Sequence, residues 1–149
     1  VLYCPRIIHE EPRMPTFDLL TSKDGDKVKA VGMTRAGLLE SALSGMFAAA
    51  GARVTEEAPE VIRPFSLRAD DFDGLLSGFL DEAIALSVEH HEAYQAVKFD
   101  LITVTEAKGA YVGRRVEGFS DPLKKVRRDV VKAERNEGGV WEVEIAFER

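Results

Sequence analysis

The chain has 149 residues, 45% of them apolar and 31% charged, which suits one soluble domain with a real core. Its net charge of −6 argues against an extended nucleic-acid surface, which needs an excess of Lys and Arg. No apolar run reaches the ~20 residues that cross a bilayer, and no secretory signal pattern opens the chain. Cys4 is the single cysteine, so an internal disulfide is impossible and the reducing cytoplasm is the expected compartment.

Val1 to Arg13 lacks a sustained period and reads as a loosely held N-terminal extension, the alternative being an edge strand from Leu2 to Ile8. Residues 14–149 then read as one domain. Phe17 to Thr21 is a predicted strand, Ser22 to Lys27 a turn, and Val28 to Met33 a second strand, together a hairpin. Thr34 suits a helix N-cap. Leu39, Ala42, Leu43, Met46 and Phe47 form an apolar stripe at helical spacing, and Gly51 ends that helix.

Val61 to Leu67 reads as a strand whose Pro64 implies an edge position or a bulge. Asp70, Asp71 and Asp73 are what a helix start needs, and Phe72, Leu75, Leu76, Phe79, Leu80, Ala83 and Ile84 line the second helix. Glu89-His90-His91-Glu92 lacks the i, i+4 spacing of two metal ligands on one helix face and reads as a solvated helix end.

Val97 to Thr105 and Ala110 to Val116 read as a strand pair turning at Lys108-Gly109, followed by a loop from Glu117 to Pro122. A final hairpin joins Leu123–Glu134 to Trp141–Arg149, where Val143, Ile145 and Phe147 alternate with polar positions. The predicted architecture is α+β: two layers, with two amphipathic helices on a largely antiparallel sheet. Leu39, Leu43, Phe47, Leu76, Phe79 and Leu80 are its predicted core.

No glycine-rich phosphate loop, nucleophile elbow or paired-cysteine pattern is present, and no catalytic residue is assigned. The last strand carries Glu148 and the terminal carboxylate of Arg149 to one sheet edge. Carboxylates on a rigid strand end suit a hard divalent cation, and the alternative is a strand ending in solvated charge.

The order of elements and several runs from Phe17 to Arg149 resemble the archease family. Phe17-Asp18-Leu19-Leu20 is similar to its aromatic-led first strand, and Val31-Gly32-Met33-Thr34-Arg35 to its glycine followed by a helix start. Leu75-Leu76-Ser77-Gly78-Phe79-Leu80-Asp81-Glu82 is similar to its second-helix run, Leu123-Lys124-Lys125-Val126 to its Ile-Lys-Ala-Val, and Trp141 to Arg149 to its closing strand.

The resemblance implies a non-catalytic activator of the GTP-dependent RNA ligase that seals tRNA halves, promoting its guanylylation and turnover. It also implies a divalent metal, Ca²⁺ or Mg²⁺, bound by an N-terminal Asp and a C-terminal Asp. Here the family's His-Thr-Ala-Asp position reads Ser22-Lys23-Asp24-Gly25, the closing Asp is Glu148, and its Thr-Tyr-His reads Arg127-Arg128-Asp129. The metal candidates are therefore Asp24, Asp26, Glu148 and the Arg149 carboxylate, with Lys23, Lys27 and the Arg149 side chain competing for them. Lys124, Arg127 and Arg128 are the candidate contacts with an RNA ligase partner. The alternative is a protein-binding module of the same fold whose metal site is lost and whose partner differs. A small enzyme working from the acidic rim is a third reading.

Overall fold

The computed structural model describes residues 16–22, 25–55, 57–127 and 131–148. The N-terminal extension, Val1 to Arg13, lies outside them. Strands β1 (Thr16–Ser22) and β2 (Gly25–Gly32) form the first hairpin. Helix α1 (Arg35–Ala49) follows, then β3 (Ala52–Val54), β4 (Val61–Arg68) and helix α2 (Phe72–His90). The chain continues through β5 (Glu92–Ile102), β6 (Glu106–Phe119), β7 (Lys125–Val126), β8 (Glu134–Arg135) and β9 (Trp141–Glu148).

The described strands divide into two sheets, and every pairing is antiparallel. In the first sheet the order is β1-β2-β9, with β7 and β8 on the other side of β9. In the second, the long β6 is flanked by β5 and β4, because both pair with residues 107–113, and β3 pairs near its end. Both helices bridge the two sheets. Helix α1 packs on β1, β2 and β9 and on β5, while α2 packs on β4, β5, β6 and β7. One core joins them, and all six predicted core residues are at most 7% exposed.

Local chemistry accounts for the helix ends. The Thr34 hydroxyl accepts from the Gly37 amide at 3.0 Å, and the Asp71 carboxylate accepts from the Gly74 amide at 2.7 Å. Gly51, at φ 65°, takes the chain out of α1, and His91, at φ 57°, does the same for α2. Among the described residues Pro64 sits in a strand paired on one side, which suits its missing N–H.

Several sequence expectations need correction. The turn expected over Ser22 to Lys27 is shorter, since Ser22 ends β1 and Gly25 to Lys27 belong to β2, and the loop expected from Glu117 starts only after Phe119. The β5–β6 turn lies at Thr103–Thr105, not at Lys108-Gly109. The Thr103 hydroxyl accepts from the amides of Thr105 (3.2 Å) and Glu106 (2.9 Å), closing the turn without glycine. Gly109 and Gly113 instead lie within β6 opposite the two register shifts of β5, where a Cβ would strike the carbonyls of Lys98 and Ala93. The strand from Leu123 to Glu134 is split into β7 and β8, which pair with opposite ends of β9. Side chains of α2 take up amides in this stretch: Asp81 accepts from Val126, in β7, at 2.8 Å, and Asp73 accepts from Ala133, just before β8, at 2.8 Å. Lastly, Glu92 is not part of a solvated helix end. It opens β5 and is only 5% exposed.

Candidate functional site: a sheet end and an adjoining groove

Strand β9 runs antiparallel to β2, with Lys27 opposite Ala146 and Gly32 opposite Trp141. Strand β2 starts at Gly25, directly after the β1–β2 turn, and β9 finishes at Glu148. The start of β2 and the finish of β9 therefore lie at the same end of the first sheet. This is the adjacency that a shared metal rim requires.

Of the candidate ligands, Asp26 sits in β2 opposite Thr21, and Glu148 ends β9 with its side chain exposed. Asp24 and Arg149 lie outside the described residues, as does Lys23. The Glu148 carboxylate is 3.5 Å from the Lys125 ammonium, and both groups are about half exposed. Such a pair is weak and exchangeable, so it competes with a cation without excluding one. Among the described residues no three of His, Cys, Asp and Glu converge as a ligand set. The candidate donors are all carboxylate oxygens, which fits a hard cation and not a thiophilic one.

Beside the rim, the amide of Lys124 donates to the Glu148 carbonyl at 2.7 Å, and that of Arg127 donates to the Ala146 carbonyl at 2.8 Å. Two of the three basic partner candidates are thus tied by their backbones to the closing strand, and Arg128 lies outside the described residues. Lys27 lies on the solvent face of the same sheet, in a basin of ≈ 290 Å³ shared with Lys29, Lys132, Glu134, Glu142 and Glu144. Equal numbers of both signs leave that basin without a preference for either.

The sequence reading missed a groove between the C-terminal half of α2 and residues 122–125. It is open to solvent, holds ≈ 740 Å³, and has Ile84, Ala85, Val88, Pro122 and Leu123 as its apolar lining. Asp81, Glu89, Lys124 and Lys125 stand at its margins. Val88 is 60% exposed, an apolar residue off the core stripe of its helix, and that offset was the available signal. Lys125 joins groove and rim, since it lines the first and pairs with Glu148 at the second.

Two other polar features are structural. Glu92 accepts from Arg63 Nε at 2.9 Å, Arg63 Nη2 at 2.8 Å and the Tyr94 hydroxyl at 2.9 Å. The Arg63 bonds hold its carboxyl below the usual range against the opposing effect of burial. Burial, with Glu92 beside it, pushes the Tyr94 hydroxyl up. The Arg35 guanidinium lies 4.9 Å from the Trp141 ring centre and 5.7 Å from that of Phe72, where cation–π attraction offsets a buried Nε that has no hydrogen-bond partner among the described residues.

Three comparisons bear on this arrangement. A family model described as the Archease protein family matches residues 25–135. The crystal structure of an archease, possible chaperone, from Thermotoga maritima shares the fold with a TM-score of 0.59 at 16% identity, covering 87% of this chain and 94% of that one. The solution structure of a protein from Methanobacterium thermoautotrophicum gives a TM-score of 0.60 at 15% identity, covering 89% of this chain and 98% of that one. No curated protein matches the chain. No helix among the described residues is long and apolar enough to cross a membrane.

Proposed function

The chain belongs to the archease family, and from that premise we propose that it is a non-catalytic accessory protein of a GTP-dependent RNA ligase, promoting the ligase's guanylylation and turnover and binding a divalent cation. One observation supports the reading most. The antiparallel pairing of β2 with β9 brings the start of β2 and the finish of β9 to one sheet end. Asp24, Asp26 and Glu148 are the carboxylates that would serve a cation there, and the cation would supply a local positive charge for an anionic group of the partner. Lys124 and its neighbours Arg127 and Arg128 would contact the ligase beside that rim. The acidic total of the chain suits a protein partner better than direct RNA binding.

A second reading has its own observation. The Glu148 carboxylate is already engaged by Lys125 at 3.5 Å, as expected of a protein-binding module that has lost its metal and changed partner. Calorimetric titration of the intact protein with Ca²⁺, Mg²⁺ and Mn²⁺ separates the two. The first reading predicts a binding isotherm that Glu148→Gln weakens. Absence of heat with all three ions, or equal binding by the variant, puts the second reading ahead.

A further inference from the structure

We infer that Asp81 of α2 is a positioning residue: it fixes the basic edge from Lys124 to Arg127 beside the sheet end, and so sets how well that edge meets a partner. The inference deepens the accessory-protein reading, on which the role of the edge as a partner contact rests.

The edge has little else to hold it. Strand β7 is two residues long, and it pairs with β9 only through Lys125 opposite Glu148 and Val126 opposite Phe147. Two amides tie the edge to β9, from Lys124 to the Glu148 carbonyl at 2.7 Å and from Arg127 to the Ala146 carbonyl at 2.8 Å. The Lys125–Glu148 ion pair, at 3.5 Å and half exposed, adds little. The Val126 amide turns to the helix instead and donates to Asp81 Oδ1 at 2.8 Å. Val126 is only 2% exposed, so its amide has little water to replace that acceptor. A carboxylate acceptor makes this the strongest kind of amide bond at the edge. Its support is rigid, because Asp81 lies within the 19-residue α2, between the fully buried Leu80 and Ala83.

The same helix supplies an internal comparison. Asp73, about two turns earlier, accepts from the Ala133 amide at 2.8 Å, just before β8. The two carboxylates make like bonds to backbone amides, but only the Asp81 bond falls within the basic edge. Loss of either one loosens residues 126–133 on α2. Loss of Asp81 alone displaces Lys124 and Arg127.

Hydrogen exchange of the full chain, without ligase or metal, tests the placement. Asp81→Ala should speed exchange of the Lys124, Val126 and Arg127 amides about tenfold or more and leave the amides of α1 as in the parent. Asp81→Asn, whose side-chain oxygen can still accept, should keep most of the protection. Asp73→Ala should speed exchange at Ala133 and leave the edge unchanged. Protection at Lys124 and Arg127 that survives Asp81→Ala overturns the inference and leaves the accessory reading standing.

Stimulation of a GTP-dependent RNA ligase, measured against the concentration of this protein, tests the consequence. Asp81→Ala should raise the concentration for half-maximal stimulation about fivefold or more while keeping the plateau, since a misplaced contact weakens binding and not turnover. Asp81→Asn should restore most of the loss, and Asp73→Ala should cause none. Equal shifts for Asp81→Ala and Asp73→Ala would reduce Asp81 to general support and overturn the inference. A parent that gives no stimulation contradicts the accessory reading instead, and the exchange result then decides the placement by itself.

Discussion

Arg63 and Glu92 meet across β6, one from each neighbouring strand, with side chains 33% and 6% exposed. The asymmetry sets the direction of two substitutions. Arg63→Ala strands a buried carboxylate and should cost about 3–5 kcal/mol. Glu92→Gln keeps a neutral acceptor and leaves a guanidinium that can still reach water, so it should cost less, about 1–3 kcal/mol. Denaturant titration at neutral pH should rank them in that order, and the reverse ranking would mean that Arg63 carries the burial cost. The pH dependence follows from the depressed Glu92 carboxyl. Its folded-state pKa lies below the ordinary value of 4.5, so its contribution is complete above 4.5 and is lost as pH falls through the folded value. The stability gap between parent and Glu92→Gln should narrow steadily on acidification below pH 4.5. A gap that is constant with pH would show that the charge contributes nothing. The sequence concealed this pair, since Glu92 follows two histidines at a helix end and nothing local marks it as buried. Its partner is 29 positions away.

At the scale of elements, the helices were legible because one face of each is apolar at helical spacing and each opens on a side-chain cap. Phe79 shows how firmly they are held. It is fully buried, its ring centre lies 5.1 Å from that of Tyr111 and 5.5 Å from that of Phe65, and its carbonyl accepts the Tyr111 hydroxyl at 2.6 Å. Phe79→Ala should therefore cost ~3–5 kcal/mol by thermal or denaturant unfolding. A loss below about 1 kcal/mol would mean that the helix face is wrongly oriented. The strands were read less well, and for a physical reason. Glycine marks a turn in one context and a bulge in another, and Gly109 serves the bulge while Thr103 closes the turn. Likewise the run from Leu123 to Glu134 has strand-like composition, but it is split into β7 and β8, with Asp81 and Asp73 of α2 accepting the amides of Val126 and Ala133. Those acceptors lie 60 and 45 positions away, beyond the reach of any local pattern.

For the whole molecule, the α+β class followed from two apolar helix stripes that needed strands to cover them. The division of those strands into two sheets did not, because strand partners are chosen by tertiary packing. The candidate rim depended on one such choice, the pairing of β2 with β9, which the sequence posed only as a condition. The groove escaped notice because its two walls, α2 and residues 122–125, are separated in sequence by β5 and β6. The N-terminal segment gives a further whole-molecule prediction. Deletion of residues 1–13 should change the unfolding midpoint little, and a large drop would mean that Leu2, Ile7 and Ile8 complete the fold. The most direct test of the accessory role is multiple-turnover sealing by a GTP-dependent RNA ligase, with the guanylylated enzyme followed alongside, in the presence and absence of this protein and of its Glu148→Gln variant. The proposed role predicts faster guanylylation and repeated turnover with the parent, and a reduced effect with the variant. Ligase turnover that is identical with and without the protein, at saturating divalent cation, would contradict it.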